Sequence, residues 1–297
     1  MTSRADTPPV APLSQDGRPD LRTDAHTGAR TYVVASRQER PNLPETTCPF
    51  CPGGLEAPGN YEVRWFPNRW PAMPDGRCEV VLYTPEHDAT LWSLGARGAR
   101  KVVDLWAERT AALGARPDVD YVLVFENRGA EVGATISHPH GQIYAFGFVP
   151  EVPLRELERG SRFTDPGSRL VTTVRGWRAW VPDAPVFPYA LRLAPDDRVP
   201  DLPSLDGTGR DAFAELLVDV LERFDRLFDR QIPYMLWIHQ RPFDGGSWPN
   251  ALLHVEIVSP WRGPGVTRYV AAGELGSGVY FNPVAPEDAA RSLRDAV

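Results

Sequence analysis

Three cysteines in 297 residues are too few and too oddly spaced for a disulfide framework, and their scarcity fits a reducing compartment. Lysine is almost absent: Lys101 stands alone, and the other cations are arginines scattered without a basic block or stripe. With a net charge of −7 and no basic face, the chain cannot release counterions as a binder of polymeric nucleic acid does, which leaves at most a single nucleotide. No apolar run is long enough to cross a bilayer, and the polar opening Met1-Thr2-Ser3-Arg4 has no apolar core of the kind a secretion signal needs. No membrane partner is expected, and the expected location is cytoplasmic.

What is present is enough apolar material, 42% of the residues, to bury a substantial core as one large domain or two small ones. Residues 1–22 are Pro-rich and polar without periodicity and are expected to form a disordered arm. The rest divides into two similar halves, 23–160 and 161–297. In the first, β runs at Tyr32–Ala35 and Val80–Thr84 precede a helix from about Gly98 to Gly114, with Val102, Trp106, Thr110 and Leu113 on one face. A strand at Tyr121–Glu126 and a histidine strand running to Phe148 follow. In the second, β runs near Leu170–Val174 and Ala190–Leu193 precede a helix from about Arg210 to Asp229, striped by Phe213, Leu217, Val220, Phe224 and Leu227. Strands at Tyr234–Gln240 and Leu252–Val258 close it. Nearly equal intervals separate Tyr121 from His140 and Tyr234 from His254, so one supersecondary unit is used twice, and the class is α+β with antiparallel strands.

The histidine strand carries the chemistry. Ser137-His138-Pro139-His140-Gly141-Gln142-Ile143 places two imidazoles and an amide at alternate positions, which in an extended segment share one face. Pro139 biases His138 away from helical dihedrals and supports that reading. A neutral imidazole is a competent nucleophile near pH 7, and a nucleotidyl group held on it can be passed to a second acceptor. Gln142 can hold a phosphate oxygen but cannot move a proton, which favours transfer over hydrolysis. Elsewhere, Cys48-Pro49-Phe50-Cys51 before Pro52-Gly53-Gly54 reads equally as half of a tetrahedral metal knuckle or as a redox pair. Cys78 reads as a half-buried strand thiol. In the second half the motif becomes His254-Val255-Glu256, better suited to a metal than to nucleophilic attack, with His239 on the preceding strand. A pair of hydrogen-bonded core histidines is the structural alternative.

The run His138-Pro139-His140-Gly141-Gln142-Ile143-Tyr144-Ala145 resembles the signature of the galactose-1-phosphate uridylyltransferases, the transferase branch of the histidine-triad superfamily, whose hydrolase relatives carry a further histidine where Gln142 stands. Segments 24–41, 47–54, 67–73, 84–91, 124–150 and 234–260 resemble the family in the same order. The resemblance implies a duplicated histidine-triad-like fold, an antiparallel half-barrel sheet with flanking helices, in a homodimer of galactose (Leloir-pathway) metabolism. It implies that His140 attacks a UDP-hexose and that a hexose 1-phosphate then takes the uridylyl group, with Gln142 as the second catalytic residue.

The same resemblance implies zinc on Cys48, Cys51, His87 and His138, and a second metal, iron or another zinc, on Glu156, His239, His254 and Glu256. The chain departs there from a His-x-His pair, with Glu256 in the last place. Arg37, Arg40, Asn68, Asn127, Gly133 and Thr135 match nucleotide- and phosphate-binding positions. In the C-terminal segment, by which a neighbouring subunit completes the sugar-phosphate pocket, Arg268 stands for a Lys, Gly273 for a Tyr and Glu274 for the Glu, with Tyr280 near a Gln position; this tail departs most. Two other readings compete: an ADP-glucose phosphorylase-like or other sugar-1-phosphate nucleotidylyl transferase, and a non-catalytic, zinc-stabilised nucleotide-binding protein.

Overall fold

A computed structural model of the chain describes residues 18–35, 37, 48–160 and 163–297. Most of the expected N-terminal arm lies outside the described residues, but its expected end at residue 22 is too late. Asp20–Thr23 forms β1, paired antiparallel with β2, Arg30–Val33, across a turn in which Asp24 Oδ1 accepts from the N–H groups of His26 and Thr27. A two-stranded ribbon facing solvent on both sides needs no apolar alternation, which is why its sequence reads as unstructured.

The centre of the molecule is a nine-stranded sheet. Its strands are β3 (Arg64–Pro67), β4 (Cys78–Leu82), β5 (Tyr121–Arg128), β6 (His140–Phe146), β7 (Leu170–Val174), β8 (Trp177–Trp180), β9 (Tyr189–Pro195), β10 (Tyr234–His239) and β11 (His254–Ser259). The order is β3-β4-β6-β5-β10-β11-β9-β8-β7, antiparallel at every pairing. About the β5–β10 seam the strands match in pairs, β6 with β11, β4 with β9 and β3 with β8, and β7 extends the second side by one. Phe125 on β5 faces Gln142 on β6, as Trp237 on β10 faces Glu256 on β11. The duplicated unit is thus visible as matched strands in one continuous sheet.

Two long helices pack against each other on one face, α1 (Gly95–Gly114) and α3 (Gly207–Leu227). The stripes read from sequence are their buried faces: Val102, Trp106, Thr110 and Leu113 on α1, and Phe213, Leu217, Val220 and Phe224 on α3. α3 starts earlier than expected because Asp206 caps it, accepting from the Gly209 N–H at 2.7 Å. Ile143 and Ala145 of β6 and Val255 and Ile257 of β11 join this core. By the alternation of a strand, His140, Gln142, His254 and Glu256 therefore line the opposite face. A short helix, α2 (Glu151–Arg159), follows β6 and brings Glu156 to that face in the second half. The chain ends in a small hairpin, β12 (Trp261–Gly263) and β13 (Val266–Thr267), then α4 (Ala272–Ser277) and α5 (Pro286–Asp295).

Candidate active site and metal-ligand clusters

His138 does not share a face with His140 and Gln142, as strict alternation predicted. β6 begins only at His140, and His138 lies in the bend before it, fully buried and turned toward the CxxC knuckle. Pro139 cannot donate to a neighbouring strand, so the ladder starts after it. The bend separates two roles within three residues: one imidazole points into the protein and the other stays half-exposed on the sheet.

The buried imidazole completes a four-donor cluster of Cys48, Cys51, His87 and His138, whose ligand atoms all lie within 4.8 Å of one another. Cys51 Sγ is 3.4 Å from His87 Nδ1 and 3.6 Å from His138 Nδ1. Tetrahedral zinc with bonds of about 2.3 Å to sulfur and about 2.0 Å to nitrogen separates its ligands by roughly 3.5 Å, so the spacing fits. The surroundings fit too. His138 Nε2–H donates to Thr84 O at 2.8 Å, which leaves Nδ1 as the lone-pair nitrogen facing the thiols. Tyr61, which the sequence reading missed, places its hydroxyl 3.0 Å from the same Nε2 and within reach of the carbonyls of Phe50 and Thr84. Burial lowers the His138 pKa, so the ring stays neutral, as a ligand must. Burial and the neighbouring Cys48 push the Cys51 thiol up, an arrangement that a divalent cation between the sulfurs reverses. Only glycine fits at Gly54, where a Cβ would lie 2.6–2.8 Å from the carbonyl oxygens of Pro49, Cys48 and Cys51. A knuckle wrapped this tightly and supplied with two histidines could hold a metal ion, and its donor set suits that better than a redox pair.

On the sheet, His140 Nδ1–H donates to the carbonyl of His138 at 2.7 Å. That bond fixes the tautomer and leaves Nε2 as the nitrogen with the lone pair. Phe50 from the knuckle holds the ring edge-on at 5.0 Å. Gly141 has no room for a side chain: a Cβ would sit 2.2 Å from the Tyr83 hydroxyl. Asn68 Nδ2 donates to Gln142 Oε1 at 3.2 Å, so the Gln142 amide turns its own N–H donors outward. Asn68 therefore holds the Gln142 side chain, a contact its expected nucleotide-binding role did not include. Asn127 shares the face of Phe125, opposite Gln142. Gly133 and Thr135 lie in the loop from β5 to β6. His87, Thr135, Ser137, Arg128 and Arg230 help to line a cavity of about 530 Å³, within the usual range for small-molecule sites. Burial raises the Cys78 pKa, the backbone of Met73 and Ala72 and the charge of Arg37 lower it, and Asn68 N–H bonds Cys78 O at 2.8 Å. Arg40 lies outside the described residues.

Behind β6, on the helix side, Glu126 is buried and accepts from the Tyr234 hydroxyl at 2.5 Å. Burial pushes its pKa up to about 7. Next to it Arg128 pairs with Asp225, which also accepts from Trp92 Nε1 at 2.7 Å, locking the end of β5 to α3.

The second cluster joins Glu156, His239 and His254. His239 Nδ1 is 2.7 Å, and His254 Nε2 3.5 Å, from Glu156 Oε2. His254 Nδ1–H donates to Leu252 O at 2.8 Å, and burial drives its pKa down to about 3, so a neutral Nε2 faces the carboxylate. Burial works against ionisation of Glu156, but the His239 hydrogen bond and the nearby charges outweigh it and lower its pKa. Two imidazoles and a carboxylate suit a divalent transition metal. Glu256 is not among these donors: its Oε1 accepts from Arg192 Nε at 2.5 Å. Arg268 and Glu274 are not brought to the His140 cavity in this chain. Both are buried, they pair with each other, and Glu274 also accepts from the N–H groups of Ala271 and Phe281.

An antiparallel sheet with a histidine strand, and with a group of potential metal ligands at the head of that strand, has the fold of the histidine-triad-like uridylyltransferases. The solved structure of a uridylyltransferase superposes with a TM-score of 0.82 at 26% identity, covering 93% of this chain and 97% of the other. An ADP-glucose phosphorylase from Arabidopsis thaliana shares the fold, with a TM-score of 0.74 at 23% identity. Residues 67–150 match the family model for the galactose-1-phosphate uridyl transferase N-terminal domain. The galactose-1-phosphate uridylyltransferase of Thermotoga maritima is 34% identical over 93% of this chain and 98% of its own length, and that of Streptomyces lividans 36% identical over 85% and 79%. The chain belongs to the galactose-1-phosphate uridylyltransferase family.

Proposed function

We propose that this protein moves UMP between a UDP-hexose and a hexose 1-phosphate in galactose metabolism, converting UDP-glucose and galactose 1-phosphate to glucose 1-phosphate and UDP-galactose by a ping-pong route. The observation that carries the proposal is the His140 ring, tied through Nδ1 to the carbonyl of His138 at 2.7 Å on the same strand face as the Gln142 side chain that Asn68 holds. Nε2 attacks the α-phosphorus of the UDP-hexose, the phosphorus–oxygen bond to hexose 1-phosphate breaks, and uridylyl-His140 remains; a second hexose 1-phosphate reverses the step. Outward-facing amide donors of Gln142 hold a non-bridging oxygen. Asn127, Gly133, Thr135, Arg37 and Arg40 are proposed to hold nucleotide and phosphates. Bound to Cys48, Cys51, His87 and His138, zinc supplies rigidity to the bend that aims His140.

In this reading residues 23–160 and 161–297 are two histidine-triad-like units, the second with its own metal, and the protein works as a cytoplasmic homodimer. The C-terminal segment supports the dimer. Tyr269, Leu275, Val279 and Phe281 are exposed there beside the buried Arg268–Glu274 pair, which shapes the loop and gives those two residues a scaffold role. The test is a burst: UDP-glucose alone, with no sugar phosphate added, should release one equivalent of glucose 1-phosphate per active site and then stop, because the uridylyl group stays on His140. No release until galactose 1-phosphate is added would overturn the covalent route, and a burst from ADP-glucose instead would change the base.

A further inference from the structure

The second metal cluster is built on the same plan as the nucleophile, and the plan includes an open side. His254 repeats His140: in each, Nδ1 is bonded to the carbonyl two residues earlier, at 2.8 and 2.7 Å. In each a phenylalanine meets the ring edge-on, Phe163 at 5.2 Å and Phe50 at 5.0 Å. Two residues on, Glu256 occupies the place of Gln142. Opposite it on the next strand stands Arg192, where the first half has Val80.

That exchange decides the charge of the site. Because Glu256 is engaged by Arg192, a divalent ion on Glu156, His239 and His254 meets one carboxylate and two neutral imidazoles, which leaves a net charge of about +1. Three protein ligands also leave a tetrahedral ion one position short. Glu156, His239 and His254 line a cavity of about 120 Å³ together with Arg192 and Asn250. Its size admits a small ion but no nucleotide. Arg192 holds Glu256 through Nε alone among the described contacts, and its guanidinium lies over the Phe163 ring at 5.2 Å, at the cavity wall.

We propose that this cluster is an anion-accepting metal site: a divalent metal ion held by Glu156, His239 and His254, whose remaining position takes a tetrahedral oxyanion that Arg192 also contacts. A guanidinium beside a metal is the pairing that recognises phosphate oxygens. The site stands apart from His140 and does not depend on the transfer reaction.

The test uses the full-length protein stripped of metal and reloaded with cobalt(II), with metal content measured by mass spectrometry and inorganic phosphate titrated against the visible cobalt spectrum. The thiolate charge-transfer band of the first site is the internal reference. Two cobalt ions per chain are expected, with bands outside the thiolate envelope that shift saturably on phosphate addition. His140→Asn should keep that shift, which separates it from phosphate in the catalytic cavity. His254→Ala should lose one cobalt and the shift together. Arg192→Gln should keep both metals and weaken phosphate at least tenfold. Glu256→Gln, which leaves the guanidinium without its partner, should bind phosphate several-fold more tightly. One cobalt per chain, a spectrum indifferent to phosphate, or an unchanged phosphate affinity in Arg192→Gln would each overturn the proposal.

Discussion

The two halves of the sheet hold the same histidine in the same way and set it in opposite surroundings. His140 and His254 are pinned through Nδ1 to the backbone, flanked by an aromatic edge and followed after one residue by a polar side chain. His140 is half-exposed and lines a small cavity of about 40 Å³ with Asn127, Ser137 and Gln231, and its neighbour Gln142 is bonded by Asn68. His254 is buried against Glu156 and His239. The difference lies in what surrounds the ring, since the histidine and its hydrogen bond are held constant. A cluster of potential metal ligands precedes the strand in the first half, and a carboxylate and a second imidazole stand in front of the ring in the second.

The sharpest way to break this contrast is to remove each ring in turn. His140→Asn should cost on the order of 10³-fold or more in kcat with both metals retained. His254→Asn should lose the second metal and stability while keeping the ability to form the covalent adduct. Parallel kinetics and metal analysis would decide, and comparable losses of kcat from both would mean that the halves are not functionally distinct. Removing the clamp should be next in size. Cys51→Ala, or chelation, should release zinc from the first half and lower stability by roughly 4 kcal/mol where free metal stands about a thousandfold above its Kd, read as a fall in the unfolding midpoint.

Glu126 sharpens the contrast through pH. Its carboxyl, buried and raised to about 7 from 4.5, is bound to a proton in the folded chain over a range where the unfolded chain has lost it. Its contribution is therefore fully present below about pH 4.5 and is lost as pH rises through about 7, a change of about 3 kcal/mol. Glu126→Gln should remove that dependence, so that its stability relative to the native protein grows between pH 5 and 8 in denaturant titrations. A constant difference would show that Glu126 does not titrate there. Gly141→Ala should cost about 1–3 kcal/mol, because the new methyl meets the Tyr83 hydroxyl, whereas Val255 fills the matching place in the second half within the core. The smallest effect is expected from Asn68→Ala: up to about tenfold in kcat with little change in stability, as Gln142 loses its orienting bond.

Much of this was legible beforehand because it rests on period and on unusual residue types. The stripes of α1 and α3, the antiparallel α+β class, the doubling and the Cys48–Cys51–His87–His138 grouping were all readable from spacing or family pattern. The strand phase of His138 was not, because a proline before a strand moves the start of its ladder, and alternation carries no information about where pairing begins. α2 escaped because Pro153 in its first turn reads as a breaker, although the first turn is where proline is tolerated. Tyr61, Arg192 and the Arg268–Glu274 pairing were invisible for a third reason. Each acts across strands or loops that only tertiary structure brings together, and an isolated tyrosine or arginine carries no signal of its partner.

The central claim is that His140, and not its twin, carries the uridylyl group. It is tested most directly by the intact mass of the protein after incubation with UDP-glucose in the absence of any acceptor. A single uridylyl increment is predicted for the native protein and for His254→Asn, and none for His140→Asn. An increment that survives in His140→Asn, or none in the native protein with its zinc in place, would contradict the account.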